Sequence, residues 1–485
     1  MTKEEQLRKT EFGSINAEDD NGLIEYFVET PVFDEILEGK LDLIIGPKGA
    51  GKSAIFKIIA EKQGFLKGIE DKLIIPINTP NSMLELESIK ERVNDEQRTY
   101  RLLWKVFVAL FIAKSIIESP ISSEVDTSEM KKILSSGGFE VEVTKKLPIS
   151  SWIKKLLSAP YFSVIFEDIE YKLGLDLLRA EEQDKTKFNV SSLLKVENSL
   201  LEGVNKEAWI LLDRLDEILP GIGADSEPQE KALQGLMNAY SDLRLFKNIR
   251  LKIFLRKDIY DNLQFVNKDH FSDKKVNISW DGPHLKRIIA KRIFSSLNNR
   301  AKKFEDKKKF TDQLAEKYFD IVFDKIIVYN RMKKNTFDWM MENLQDGNGF
   351  VSPRDLLNLV AKAHRAQLDF YSRDVETPKE ALIGEAAVIV GFKDASVDKL
   401  QDYLYGVFRY VKEYVEKFRG SLKRRFSKKE IEKVVESKDI TDLYLILKRL
   451  CEIGFLKKIG LKSIEKTDNF EIPVIYAQGL DIKEF

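Results

Sequence analysis

Eight residues, Gly46-Pro47-Lys48-Gly49-Ala50-Gly51-Lys52-Ser53, match the pattern G-x-x-x-x-G-K-[ST] at every fixed position. Leu41-Asp42-Leu43-Ile44-Ile45 before them reads as a short buried strand. Ala54 to Ala60 after them reads as a helix. A strand, a Gly-rich turn and a helix are what an anion-binding loop requires. Glycines let the backbone wrap an anion without Cβ clashes. The helix start offers unpaired N–H groups and the positive end of its dipole. Residues Gly46 to Ser53, with Ile55 on the first helical turn, are therefore expected to hold the phosphates of a nucleotide. Lys52 is placed to reach the β and γ phosphates, and the Ser53 hydroxyl to hold Mg²⁺.

Composition excludes several other classes. At 485 residues the chain has room for two to four domains. Lysine plus arginine equals aspartate plus glutamate at 79 each, so any surface for nucleic acid must be local. One cysteine, Cys451, excludes an intrachain disulfide framework and a multi-cysteine zinc site. Leu447, four residues earlier, places Cys451 on a buried helix face. His270, His284 and His364 lack metal-ligand spacing. The first residues are charged and carry no apolar signal core. The apolar run Val106–Ala113 is too short to span a bilayer, so no membrane partner is expected and the default compartment is the cytoplasm.

Further strands are expected at Lys72–Asn78, Glu207–Asp213, Ile249–Leu255 and Val276–Trp280, and a long helix at Glu91–Ile117. Strands alternating with helices imply a parallel α/β sheet. The region 118–202 reads as an insertion of short helices, and Pro283 to Phe370 as helical throughout, save for Asp346–Phe350. Gly454–Lys458 and Phe470–Tyr476 read as β-like. Phe12-Gly13, Tyr26-Phe27 and Phe33 are candidates to pack on a nucleotide base or on the core.

A phosphate loop needs a carboxylate on a neighbouring strand to share the metal. Trp209-Ile210-Leu211-Leu212-Asp213 supplies one at a strand's C-terminal tip, making Asp213 the second Mg²⁺ residue. Glu217 is the candidate base for the attacking water, with Asp216 the alternative. Arg256 ends the following strand, where a γ-phosphate sensor would sit. Arg354, in Ser352-Pro353-Arg354, opens a helix from which it could swing onto the phosphates. Lacking an Asn/Thr-Lys-x-Asp guanine-reading element, the chain favours ATP over GTP.

These residues resemble the AAA+ and related additional-strand P-loop ATPases, on the branch of origin-recognition, KAP and NACHT/STAND ATPases. Leu211-Leu212-Asp213-Arg214-Leu215-Asp216-Glu217 is similar to the NACHT-type acidic motif. It departs from the paired Asp-Glu of standard members at Arg214, which implies slow hydrolysis. Phe12-Gly13, the run Leu43–Ile55, the Ser-Pro-Arg helix and the C-terminal ending resemble a family of bacterial stand-alone P-loop ATPases with suspected roles in phage defence or stress signalling. The resemblance implies a sheet ordered 5-1-4-3-2. It divides the chain into a lead-in (1–40), an ATPase core (41–282), a helical lid (283–375) and a winged-helix-like domain (376–485). In the last, helices are expected at Ser427–Val435 and Asp439–Glu452, with wings at 454–459 and 470–476. Lys423, Arg424, Arg425, Lys428, Lys429, Lys448 and Arg449 are its candidate DNA contacts. The function implied is an ATP-driven conformational or assembly switch, acting on a homo-oligomer or an effector protein. The alternative is a DNA-binding ATPase of origin-recognition type.

Overall fold

The computed structural model describes residues 2–78, 96–139, 161–166, 169–174, 186–215, 227–265, 268–297, 310–375, 378 and 380–483. The chain forms two compact units, one of Pro31–Gly46 and Lys52–Asn277, the other of Met1–Thr30, Pro47–Gly51 and Ile278–Phe485.

The first unit is built on strands β1 (Leu43–Gly46), β2 (Lys72–Asn78), β3 (Tyr161–Phe166), β4 (Ile169–Gly174), β5 (Thr186–Asn189), β6 (Glu207–Asp213), β7 (Ile249–Arg256) and β8 (Lys275–Asn277). Five of them form one parallel sheet in the order β2-β6-β7-β1-β8. Numbered by chain position within that sheet, this is the expected 5-1-4-3-2. The central strands β6 and β7 are buried almost throughout, as near-continuous apolar runs require in a sheet covered on both faces. Pro76 sits in β2, an edge strand, where its missing N–H costs no ladder bond. The fifth strand stops at Asn277, so Trp280 lies beyond the sheet rather than in it.

The region 118–202 is not purely helical. Its described parts include a second sheet, ordered β4-β3-β5, beside the helices Ser128–Ser136 and Val190–Gly203. The long helix is described over Glu96–Glu118. Trp104 on it donates its indole N–H to the Ala232 carbonyl at 2.9 Å, tying it to the helix Glu227–Leu243.

Helix Val190–Gly203 carries an anomaly. Glu197 is fully buried, and neither carboxylate oxygen has a hydrogen-bond partner among the described residues. Burial pushes its carboxyl well above its ordinary value of 4.5, against a lesser pull from the Ala113 backbone. A raised folded-state value gives stability that is full below the unfolded value and is lost as pH rises through the folded one. The contribution of Glu197 to stability should therefore fall above about pH 4.5, by at most ~1.4 kcal/mol per pH unit. Glu197→Gln should flatten that slope in urea denaturation at stepped pH. Equal slopes in the two chains would contradict the assignment.

In the second unit, Phe12 meets the His364 ring edge-on at 5.5 Å. Arg292 bonds to Asp20 at 2.9 Å and to the Phe12 carbonyl at 2.5 Å, with its guanidinium 4.4 Å over Tyr26. Phe12 and Tyr26 thus serve the core. Gly13 has φ +70°, and a Cβ there would fall 2.4 Å from the Arg292 guanidinium, so only glycine fits. Phe33, in the first unit, is also buried.

The stretch after Pro283 is interrupted by a hairpin, β9 (Ile326–Tyr329) and β10 (Met332–Asn335). Periodicity missed it because its strands are four residues each and follow helix Asp312–Val322 closely. Near the C-terminus, β11 (Arg425–Ser427), β12 (Lys457–Lys458) and β13 (Asn469–Glu471) form a sheet ordered β11-β13-β12. The helix Lys428–Val435 opens with a Ser427/Glu430 capping box, and Ile440–Glu452 is capped by Asp439. The wing strands are shorter than expected. After Glu471 the chain turns at Pro473 into a short helix, Val474–Ala477. Among the described residues, no helix is long and apolar enough to cross a membrane.

Candidate functional site

Gly46 ends β1 in register with Arg256, the last residue of β7, and Asp213 ends β6. Since β6, β7 and β1 are neighbours, Gly46, Asp213 and Arg256 stand at the C-terminal edge of one parallel sheet. That is the edge where such sheets bind ligands. Asp213 is buried at 3% exposure. Arg214 beyond it has φ +56°, a left-handed conformation that costs a non-glycine residue about 1 kcal/mol. Strain of this kind gathers at sites that need a fixed side-chain direction. The Arg256 guanidinium is buried and bonds to Asp258 through Nε at 3.1 Å and Nη2 at 2.5 Å. Asp216 and Glu217 lie outside the described residues.

Helix Lys52–Glu61 begins directly after the loop. Lys52 Nζ donates to the Gly46 carbonyl at 2.8 Å, across the mouth of the turn. Lys52 and Ser53 are half-buried, whereas Ile55 is buried on the helix's inner face.

Pro47 to Gly51 group with the second unit. Gly49 and Gly51 have φ +85° and +93°, values that side chains rarely adopt. The buried Ala50 accepts a hydrogen bond at 2.9 Å from the Trp280 indole. A Cβ on Gly49 would lie 3.0 Å from Arg354 Cβ and 3.1 Å from Ser352 Oγ. Ser352 caps the helix Pro353–Ser372, its hydroxyl accepting from the Asp355 N–H at 3.0 Å. Asp355 in turn pairs at 2.7 Å with the buried Lys399. Arg354 is half-buried, with no carboxylate paired to it among the described residues. Both Arg354 and Trp280 thus lie against the loop, although the sequence places Trp280 only at the end of an expected strand. An isolated tryptophan past a strand carries no local signal.

Trp280 offers a direct readout. An anion seated on the loop should change its emission, and Trp280→Phe should remove most of the nucleotide-dependent change. A signal that survives in that variant would mean that one of the other four tryptophans, not Trp280, reports the change.

Among the described residues, no three His, Cys, Asp or Glu side chains cluster as a metal site. Cys451 is buried, which pushes its thiol up to about 12, so it carries no reactive thiolate.

No family model matches the chain, and no curated protein matches it. Among solved structures it is similar to the Aeropyrum pernix ORC2 protein, solved as ADPNP–ADP complexes: 10% identity, 95% of this chain and 96% of that one covered, TM-score 0.43. It is also similar to the Aeropyrum pernix ORC1 protein in complex with DNA: 13% identity, 99% and 91% covered, TM-score 0.34.

The C-terminal cations are largely paired within the chain. Lys423 bonds to Glu430 at 2.6 Å, Arg424 to Glu471 at 3.1 Å, and Arg425 lies 3.6 Å from Glu471. Lys448 lies 3.8 Å from Glu452, and Arg449 stacks on Tyr410 at 5.4 Å. Leu443, Leu447 and Leu450 give the other face of that helix to the core.

Proposed function

We propose that this chain binds and hydrolyses ATP at Gly46–Ser53, and that nucleotide state switches its conformation or assembly. The observation that carries the reading is the loop itself. Its two left-handed glycines shape a backbone cradle, and Gly49 lies against the start of the Arg354 helix. In this reading the loop N–H groups and Lys52 bind the β and γ phosphates, and Arg354 recognises the γ-phosphate. Ser53 and Asp213 offer the hard oxygen donors that suit Mg²⁺, which would neutralise phosphate charge. Glu217, or Asp216, orients the attacking water. Arg256, held by Asp258, is the second candidate sensor.

A residue that touches only the γ-phosphate discriminates between ATP and ADP, and that difference drives a switch. Arg354→Ala should weaken ATP binding ten- to a hundredfold, the range of one charge-assisted bond of about 1.5–3 kcal/mol, with ADP binding little changed. Hydrolysis, followed as phosphate release, should fall with it. Equal losses for ATP and ADP would remove Arg354 from the γ-phosphate. A role in bacterial defence or stress signalling rests on the family resemblance alone. For the origin-recognition alternative, the carboxylates paired with Lys423, Arg424 and Arg425 compete with DNA phosphates for those cations.

A further inference from the structure

At the opposite pole of the same sheet lies a recess of about 350 Å³, lined by Arg244, Lys247, Arg250, Lys274, Asp42 and Tyr240 among others. It opens beside the N-terminal ends of β1 and β7. Gly46 and Arg256 are at the other ends of these strands. Along the eight residues of β7 the separation is about 25 Å.

Three nearby carboxylates are already committed. Asp42 bonds to the buried Lys252 and accepts from Tyr240. Asp242 holds Arg101 and Lys105. Glu207 holds Arg250 at 3.2 Å and Lys72 at 3.5 Å. Asp273 acts on Tyr240 but makes no ion pair with the lining cations. Among the described residues, no carboxylate pairs with Arg244, Lys247 or Lys274. Arg244, Lys247 and Lys274 therefore line one concavity without an ion-pair partner among the described residues, Lys274 Nζ donating only to the Lys40 carbonyl at 3.4 Å.

The Arg244 guanidinium is also held in place, 5.3 Å over the Phe271 ring and 5.9 Å over Tyr240. Such stacking lowers the entropy lost when an arginine engages an anion. The C-terminus of helix Glu227–Leu243 accounts for one neighbouring cation, at about 0.3–1 kcal/mol, but not for three around a cavity.

We infer that this recess binds a small phosphate-bearing anion, at a site separate from the phosphate loop. The concavity favours a compact oligophosphate or phosphorylated metabolite over an extended polyanion. Arg244 supplies a planar two-pronged contact, and Lys247 and Lys274 supply point charges.

The test is calorimetric titration of the full-length chain with inorganic pyrophosphate at low salt. Placed in a Lys52→Ala chain, so that the phosphate loop contributes little, Arg244→Gln/Lys247→Gln/Lys274→Gln should bind at least tenfold more weakly than Lys52→Ala alone. Lys52→Ala, which removes the loop's lysine, should keep this binding, as should a control triple of surface lysines, Lys433→Gln/Lys438→Gln/Lys466→Gln. Pyrophosphate should also protect Lys247 and Lys274 of the wild-type chain from acetylation, a measurement independent of how the triple variant folds. Unchanged binding in the first triple variant, equal loss in the control, disappearance with Lys52→Ala, or no protection would each overturn the inference.

Discussion

Lys52→Ala is expected to lower ATP hydrolysis by about a hundredfold or more, and ATP affinity with it. Lys52 starts the helix that follows the loop, and its ammonium lies 2.8 Å from the Gly46 carbonyl. A bound phosphate would replace that neutral acceptor with a charged one, roughly doubling the strength of each bond. Alanine removes the charge but leaves the backbone cradle and helix dipole, so some binding should persist. Lys52→Arg should not restore wild-type rates, because a planar fork cannot occupy the space of a compact ammonium. Lys52 is half-buried at the surface, so the stability change should stay within about 0.5 kcal/mol. The decisive measurements are phosphate release and equilibrium ATP binding, read beside a denaturation curve. Wild-type hydrolysis in a folded Lys52→Ala chain would refute the proposed site.

The largest stability effect is expected at Asp42. Lys252 lies in the central strand β7 with no solvent exposure. Its ammonium donates to Asp42 at 2.9 Å and to the Leu41 carbonyl at 2.5 Å, and lies 4.3 Å from the Trp209 ring. Tyr240 donates to the other Asp42 oxygen at 2.9 Å. Asp42→Ala would leave a buried cation and a buried hydroxyl without their acceptor. Removing one partner of a buried pair costs about 3–5 kcal/mol. Chemical denaturation at 25 °C should show a loss of that size. The double variant Asp42→Asn/Lys252→Met should recover much of it, because no unpaired charge is left behind. A loss below about 1 kcal/mol for Asp42→Ala would mean that water reaches Lys252.

The glycine-rich turn between strand and helix, the place of Asp213 at a strand tip and most core strands were legible in the sequence, because each is encoded locally. Glycines are needed where φ is positive, as at Gly49 and Gly51. Apolar runs mark buried strands, and Glu207–Asp213 matches its strand end to end. The caps Ser352, Ser427 and Asp439 announce their helices. The hairpin Ile326–Asn335 was not legible, nor were the strands inside 118–202. Short strands carry too little periodicity to be told from neighbouring helical turns.

What the sequence determined by itself was local: a glycine-rich turn between a strand and a helix, and an acid at a strand tip. Both follow from steric and solvation rules that act over a few residues. Only the tertiary structure decided which distant groups meet. Asp42 and Lys252 are 210 residues apart, and Ala50 and Trp280 are 230 apart. The cations of the recess come from separate segments brought together by strand order. Such neighbours are chosen by burial of the whole sheet, which rewards total packing and leaves no mark on the local pattern at either residue.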